Sequence, residues 1–122
     1  MRYMVIVKGC EKEAPPSQQM MDEMIKYNAA LAEAGVLVAC EGLEPASSGV
    51  RVRFDGRERS ITDGPFSETK ELIGGFWLWE CNSRQEAVEW LKRAPFDGGV
   101  EVEIRPVREG FAEQIGARPR KS

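Results

Sequence analysis

The sequence contains no histidine, so it lacks the side chain most often used for proton transfer near neutral pH. The same absence removes the commonest protein ligand of transition metals. Any acid–base chemistry would therefore depend on carboxylates, lysines, tyrosines or cysteines. We predict a protein without a bound metal and without a cofactor.

Cysteine is also scarce, and the three present are Cys10, Cys40 and Cys81. Their odd number and wide spacing argue against a disulfide framework and against a zinc site. Reduced thiols are typical of the cytoplasm. The N-terminal segment has one arginine before a short apolar run, unlike a signal peptide, and no apolar run is long enough to span a membrane. We predict a cytoplasmic location.

Positive charge is not in excess, because the formal net charge is −3. Such a chain offers no basic surface for nucleic acid or for an anionic membrane. The length of 122 residues fits one domain. We therefore expect a single globular domain that binds neither nucleic acid nor a membrane.

Apolar periodicity predicts two helices and six strands. One helix begins after a Ser17 N-cap and ends before Gly35, and the other begins at a capping box, Ser83 to Glu86, and ends before Pro95. The strands are predicted over residues 2–8, 36–43, 50–54, 57–62, 74–80 and 100–105.

The dipeptide Asp55-Gly56 favours a two-residue type I′ hairpin turn. That register would place Val50 opposite Ile61 and Arg53 opposite Glu58. The order β-α-β, hairpin, β-α-β predicts an α+β fold of the ferredoxin-like, split βαβ kind. In this arrangement two helices cover one face of an antiparallel sheet.

Three of the sheet strands are apolar on both faces, although the two helices cover only one. An uncovered apolar face is avoided by soluble monomers, and another copy of the chain is the simplest cover. We therefore predict a homodimer formed by packing of sheet on sheet. Its interface is expected to include Trp77 or Trp79.

The segment "ITDGPFSETKE" combines carboxylates, hydroxyls and a lysine with a Gly-Pro pair within eleven residues. In one interpretation it is only a turn, in which Gly64 takes backbone angles closed to other residues and Asp63 accepts a backbone hydrogen bond. In the other, Asp63 is a half-buried catalytic base at the rim of a cleft. Residues expected to bind a ligand there are Phe66, Glu68, Lys70 and Tyr3.

The run "TDGPFSETKE" followed by "IGGFWLWE" resembles the YCII-related proteins, and in particular their DGPF branch, although Ser67 stands where that pattern has alanine. The segments "CEGLEP", "VRVRFDG", "EAVEWLKRAP" and "VEVEIRPV" add to the resemblance. It implies a ferredoxin-like protomer in a dimeric α+β barrel. The similarity covers residues 1–107, which we predict to form one domain. The residue pattern itself predicts the inserted hairpin at 49–62 and a partly disordered tail at 108–122. The His–Asp pair proposed for other YCII relatives cannot be carried over to a chain without histidine.

Three functions are open at this point. The first is a homodimer that binds a small molecule near the DGPF motif. The second is an isomerase or lyase in which Asp63 is the general base. The third is a regulatory or structural partner of another protein.

Overall fold

The computed structural model describes residues 1–9, 17–64, 73–96 and 99–117. The strands are β1 (Arg2–Lys8), β2 (Leu37–Gly42), β3 (Val50–Asp55), β4 (Glu58–Asp63), β5 (Ile73–Glu80) and β6 (Val102–Pro106). The helices are α1 (Gln18–Glu33), α2 (Arg84–Lys92) and α3 (Phe111–Gln114), and residues Ala46–Ser48 form one 3₁₀ turn. None of the helices within the described ranges is long and apolar enough to cross a bilayer.

Four strands form one antiparallel sheet in the order β2-β5-β1-β6, and β3 pairs with β4 in a separate two-stranded sheet. The predicted α+β fold, with an antiparallel sheet, helices and a hairpin between two β-α-β units, is confirmed. The helix starts also agree with the sequence. Ser17 Oγ accepts from Met20 N at 3.1 Å, and Ser83 Oγ accepts from Glu86 N at 3.1 Å.

The tail contains the short helix α3, Phe111–Gln114, which was not predicted from the sequence. A segment of four residues is too short to show helical periodicity, so the pattern could not reveal it. The expected disorder of the last residues falls on 118–122, which lie outside the described residues.

The core lies between the sheet and the helices α1 and α2. Tyr27 and Leu31 of α1 and Ala87 of α2 pack in one buried cluster with Trp77 and Trp79 of β5. The cluster is completed by Tyr3, Val5, Val36 and Cys81. The prediction that Trp77 or Trp79 lies in a dimer interface is therefore wrong, since these indoles are 3% and 0% exposed within one chain.

Two side-chain hydrogen bonds fix α1 within this core. The Tyr27 hydroxyl donates to the Trp90 carbonyl oxygen at 2.6 Å, and Trp77 Nε1 donates to Asn28 Oδ1 at 2.8 Å. Burial raises the pKa of the Tyr27 phenol well above its usual range. Tyr27 is thus a packed and hydrogen-bonded core residue.

The opposite face of the sheet, which we call the helix-free face, carries the alternate side chains of the same strands. Met4 pairs with Leu78 and Ile6 pairs with Phe76, while Ala39 of β2 lies beside Leu78. Met4 is 36% exposed and the other four are half-buried. This face is apolar at its centre, as the two-sided pattern of β1 and β5 predicted.

The hairpin is confirmed, but its register is shifted by one residue at the turn. Asp55 pairs with Glu58, so the turn residues are Gly56 and Arg57, and Val52 rather than Val50 lies opposite Ile61. Gly56 has φ +61°, and no described non-glycine residue has a positive φ. A positive φ at the first turn residue and a φ that is not positive at the second are typical of a type II′ turn, so the predicted type I′ turn is wrong.

Candidate functional site

Asp63 lies at the base of the hairpin, as the last residue of β4, and pairs with Val50. Its side chain is exposed, so the expectation of a half-buried carboxylate is wrong. Because cross-strand partners share a face, Asp63 lies on the same side of the hairpin as Val50, Val52 and Ile61. An exposed carboxylate therefore stands at one end of an apolar strip.

Gly64 fixes this base by close contact with the 3₁₀ turn. Its N–H donates to the Gly49 carbonyl oxygen at 2.9 Å. A Cβ atom at Gly64 would overlap the carbonyl oxygen of Ala46 and lie 2.8 Å from the carbonyl carbon. Gly64 does not have a positive φ, so its need for glycine comes from the close approach of two backbones and not from unusual backbone angles.

The other predicted site residues do not join Asp63 in the described structure. Phe66, Glu68 and Lys70 lie outside the described residues. Tyr3 is a core residue, 3% exposed, and its hydroxyl donates to Met1 Sδ at 3.8 Å. Tyr3 pairs with Trp79 near the end of β5, in the other sheet from Asp63.

The hairpin contains four arginines, and Arg59 stabilises its apolar side. The Arg59 guanidinium lies 4.5 Å from the centre of the Phe54 ring. Arg59 Nη1 also donates to the carbonyl oxygens of Gly56 and Glu58, both at 2.9 Å. A cation over an aromatic face is attractive, so Arg59 stabilises the hairpin.

A cleft of about 170 Å³ lies beside Glu80, the last residue of β5. The Met1 amino group contacts Glu80 Oε2 at 2.6 Å, and the hydrogen bond with Glu80 raises the pKa of that amine. The cleft is lined by Met1, Arg2, Glu80, Val107, Glu109, Gly110 and Glu113. Sequence reasoning missed it, because these residues come from three separate parts of the chain and form no motif.

The cysteines and carboxylates show no metal arrangement within the described ranges. No group of three or more His, Cys, Asp or Glu side chains there could hold a metal ion. Cys40 is exposed and Cys81 is buried, and burial raises the pKa of both thiols. Cys10 lies outside the described residues.

Comparison with known proteins agrees with the motif. The model of the YCII-related domain matches residues 1–110. An uncharacterised protein of Rhizobium meliloti (strain 1021) is 32% identical over 89 residues, which cover 70% of this chain and 72% of that protein. The chain therefore belongs to the family of YCII-related domain proteins.

Proposed function

We propose that this YCII-related protein is a homodimer that binds a small molecule, and that two copies pack together through their helix-free faces. The observation that carries the proposal is the apolar centre of that face. Met4, Ile6, Phe76 and Leu78 form two adjacent cross-strand pairs on the side of the sheet away from α1 and α2. Packing two such faces would remove this surface from water and would build a dimeric α+β barrel.

Charged residues border the apolar centre as an interface rim would. Glu103 pairs with Ile6 and Arg105 pairs with Met4, and Glu103 accepts from Arg105 Nε at 3.0 Å. This hydrogen bond lowers the pKa of the Glu103 carboxyl, which favours its carboxylate form. Glu41 borders Phe76 on the other side. An apolar centre with a charged rim is typical of protein interfaces, and a twofold axis lets one surface serve as both partners.

A charge placed at the centre of this face should separate the copies. We expect the wild-type chain to sediment at micromolar concentration with twice its mass of 13.7 kDa. Leu78→Asp should raise the dimer dissociation constant by about thirtyfold or more, because an interfacial hot spot contributes about 2 kcal/mol or more. The measurement is sedimentation equilibrium over a dilution series.

Ile25→Asp is the matched control, because Ile25 is an exposed aliphatic residue of α1, at 64% exposure, on the other side of the sheet. It should leave the dissociation constant unchanged. A wild-type chain that remains monomeric at tens of micromolar contradicts the proposed dimer.

The proposed ligand site is the base of the hairpin, where the Asp63 carboxylate lies opposite Val50 at the end of β4. The backbone contacts of Gly64 hold this end of β4 in place. A fixed carboxylate beside apolar side chains suits a small molecule with an apolar body and a hydrogen-bond-donating head, such as an amine.

Asp63→Asn should weaken such binding while the fold is kept. A panel of small aliphatic and aromatic amines and alcohols at millimolar concentration is tested for an increase in Tm. We expect amines to raise the Tm of the wild-type chain and to raise that of Asp63→Asn by less than half as much, because the charged acceptor is lost. Equal shifts in both proteins would exclude Asp63, and no shift in either would exclude binding of this class.

A further inference from the structure

We propose that the β3–β4 hairpin is an arm that packs its apolar face on the second copy of the chain. This inference rests on the proposed dimer and extends it to a second contact region. The hairpin face in question carries Val50, Val52, Phe54 and Ile61, and we call it the arm face. It lies outside the four-stranded sheet, so it is not part of the helix-free face.

The arm face is strongly exposed. Phe54 and Ile61 are 69% and 71% exposed, and Val50 and Val52 are 56% and 47% exposed. Every residue of β3 and β4 is exposed, and the two strands pair only with each other among the described residues. A two-stranded hairpin is marginally stable by itself in water, and an exposed apolar face of this size is typical of a surface that packs against a partner.

The arm is nevertheless built as a defined element. Its register runs without a bulge from Val50–Asp63 to Asp55–Glu58. Gly56 supplies the turn, Arg59 lies over Phe54, and the Gly64 N–H closes the base on Gly49. A preformed surface loses little conformational entropy on association, which favours its use as a contact.

The area of the helix-free face points to a second copy as the cover. A stable dimer buries about 800 Å² on each partner. Four of the five apolar side chains of the helix-free face are already half-buried within one chain, which reduces the apolar surface that a partner could cover there. The arm face, with four large side chains about half exposed or more, supplies apolar area that the sheet lacks.

The position of the arm in the chain makes a joint contact possible. It is inserted between β2 and β5, which both contribute to the helix-free face. The end of β2 is tied to the start of β5, since Leu43 N donates to the Gly74 carbonyl oxygen at 2.9 Å. Under twofold symmetry each copy would extend its arm to the other, so both arm faces would be buried in the same dimer.

Two double variants on the same strands test the arm. Phe54→Thr with Ile61→Thr removes apolar groups from the arm face and keeps residues suited to strands. Arg53→Thr with Ser60→Thr places the same residue type on the opposite hairpin face, where these two positions pair. We expect the first to raise the dimer dissociation constant about thirtyfold and the second to change it less than threefold, as measured by sedimentation equilibrium.

Hydrogen–deuterium exchange of the wild-type chain tests the arm without any substitution. Amides of residues 50–63 should exchange more slowly above the dissociation constant than below it. Unchanged exchange, or a double variant on the arm face that dimerises as tightly as the wild type, overturns the arm contact while the dimer through the helix-free face stands. A wild-type chain that is monomeric throughout overturns the dimer and the arm contact together.

Discussion

A Gly64→Ala variant is expected to lose about 3 kcal/mol of unfolding free energy, at the upper end of the usual cost of forcing extra atoms into a packed site. The added Cβ would overlap the Ala46 carbonyl oxygen and lie 3.3 Å from Ser47 Cα. These are backbone atoms of a 3₁₀ turn, so no side chain can rotate away to make room. The overlap could be relieved only by moving the turn, which would also disturb the hydrogen bond from Gly64 N to Gly49 O.

Gly42→Ala is the matched control for this variant. Gly42 is also at a strand end with a φ that is not positive, but a Cβ there meets nothing within 4 Å. It should therefore unfold at nearly the same urea concentration as the wild type, or be slightly more stable, because alanine lowers the entropy of the unfolded chain. Urea unfolding followed by tryptophan fluorescence gives both free energies. Equal stability of Gly64→Ala and Gly42→Ala would contradict the close approach.

This result bears on the meaning of the motif. In the turn interpretation of the sequence, Asp63 and Gly64 had one joint role, and in the catalytic interpretation Asp63 was a base. In the structure the two residues have separate roles, since Gly64 is set against backbone and Asp63 projects into solvent. Stability should thus depend on Gly64, whereas ligand binding in the proposed site should depend on Asp63.

Most of the fold was predictable because local signals determine it. Alternation identified the strands, and Ser17 and Ser83 marked the helix starts. The predicted hairpin turn was wrong by one residue, because glycine is favoured both at the second position of a type I′ turn, as in Asp55-Gly56, and at the first position of a type II′ turn, as in Gly56-Arg57. The structure decides for the second, since φ is positive at Gly56 and not at Arg57. The predicted division of the hairpin into an apolar and a polar face is still correct. Each β3 residue pairs with a β4 residue two positions further along the chain than predicted, and a shift of two residues keeps side chains on the same face.

The orientation of β5 could not be predicted from its own pattern. Phe76 and Leu78 are apolar, and so are Trp77 and Trp79, so alternation gives two faces of similar character. The helix α1 favours the observed orientation at one of the two indoles, because Asn28 accepts a hydrogen bond from Trp77 Nε1, whereas Trp79 Nε1 has no partner among the described residues. The cleft near Met1 was equally hidden, since its residues meet only through the pairing of Arg2 with Glu80 and the placement of α3.

The two core indoles provide the second large effect. We expect Trp77→Phe to lower the unfolding free energy by about 1–3 kcal/mol more than Trp79→Phe, because the first change leaves a polar group without its partner. Trp77 Nε1 donates to Asn28 Oδ1 at 2.8 Å, and phenylalanine would leave that half-buried amide oxygen unpaired. Trp79 Nε1 is buried with no hydrogen-bond partner among the described residues, so its loss removes an unmet donor.

The comparison is matched in volume and burial, because both variants delete the same atoms from side chains that are 3% and 0% exposed. Each leaves a similar cavity, and the difference between them isolates the hydrogen bond. Trp77 also has edge contacts with Tyr27 and Phe96, both at 5.9 Å between ring centres, which a phenylalanine ring can partly keep.

Thermal and urea unfolding of both variants give the measurement, with Asn28→Ala in the Trp77→Phe background as the control. Removing the amide should recover part of the loss, and a Trp79→Phe variant that is the less stable of the two would show that indole packing, not hydrogen bonding, governs this core.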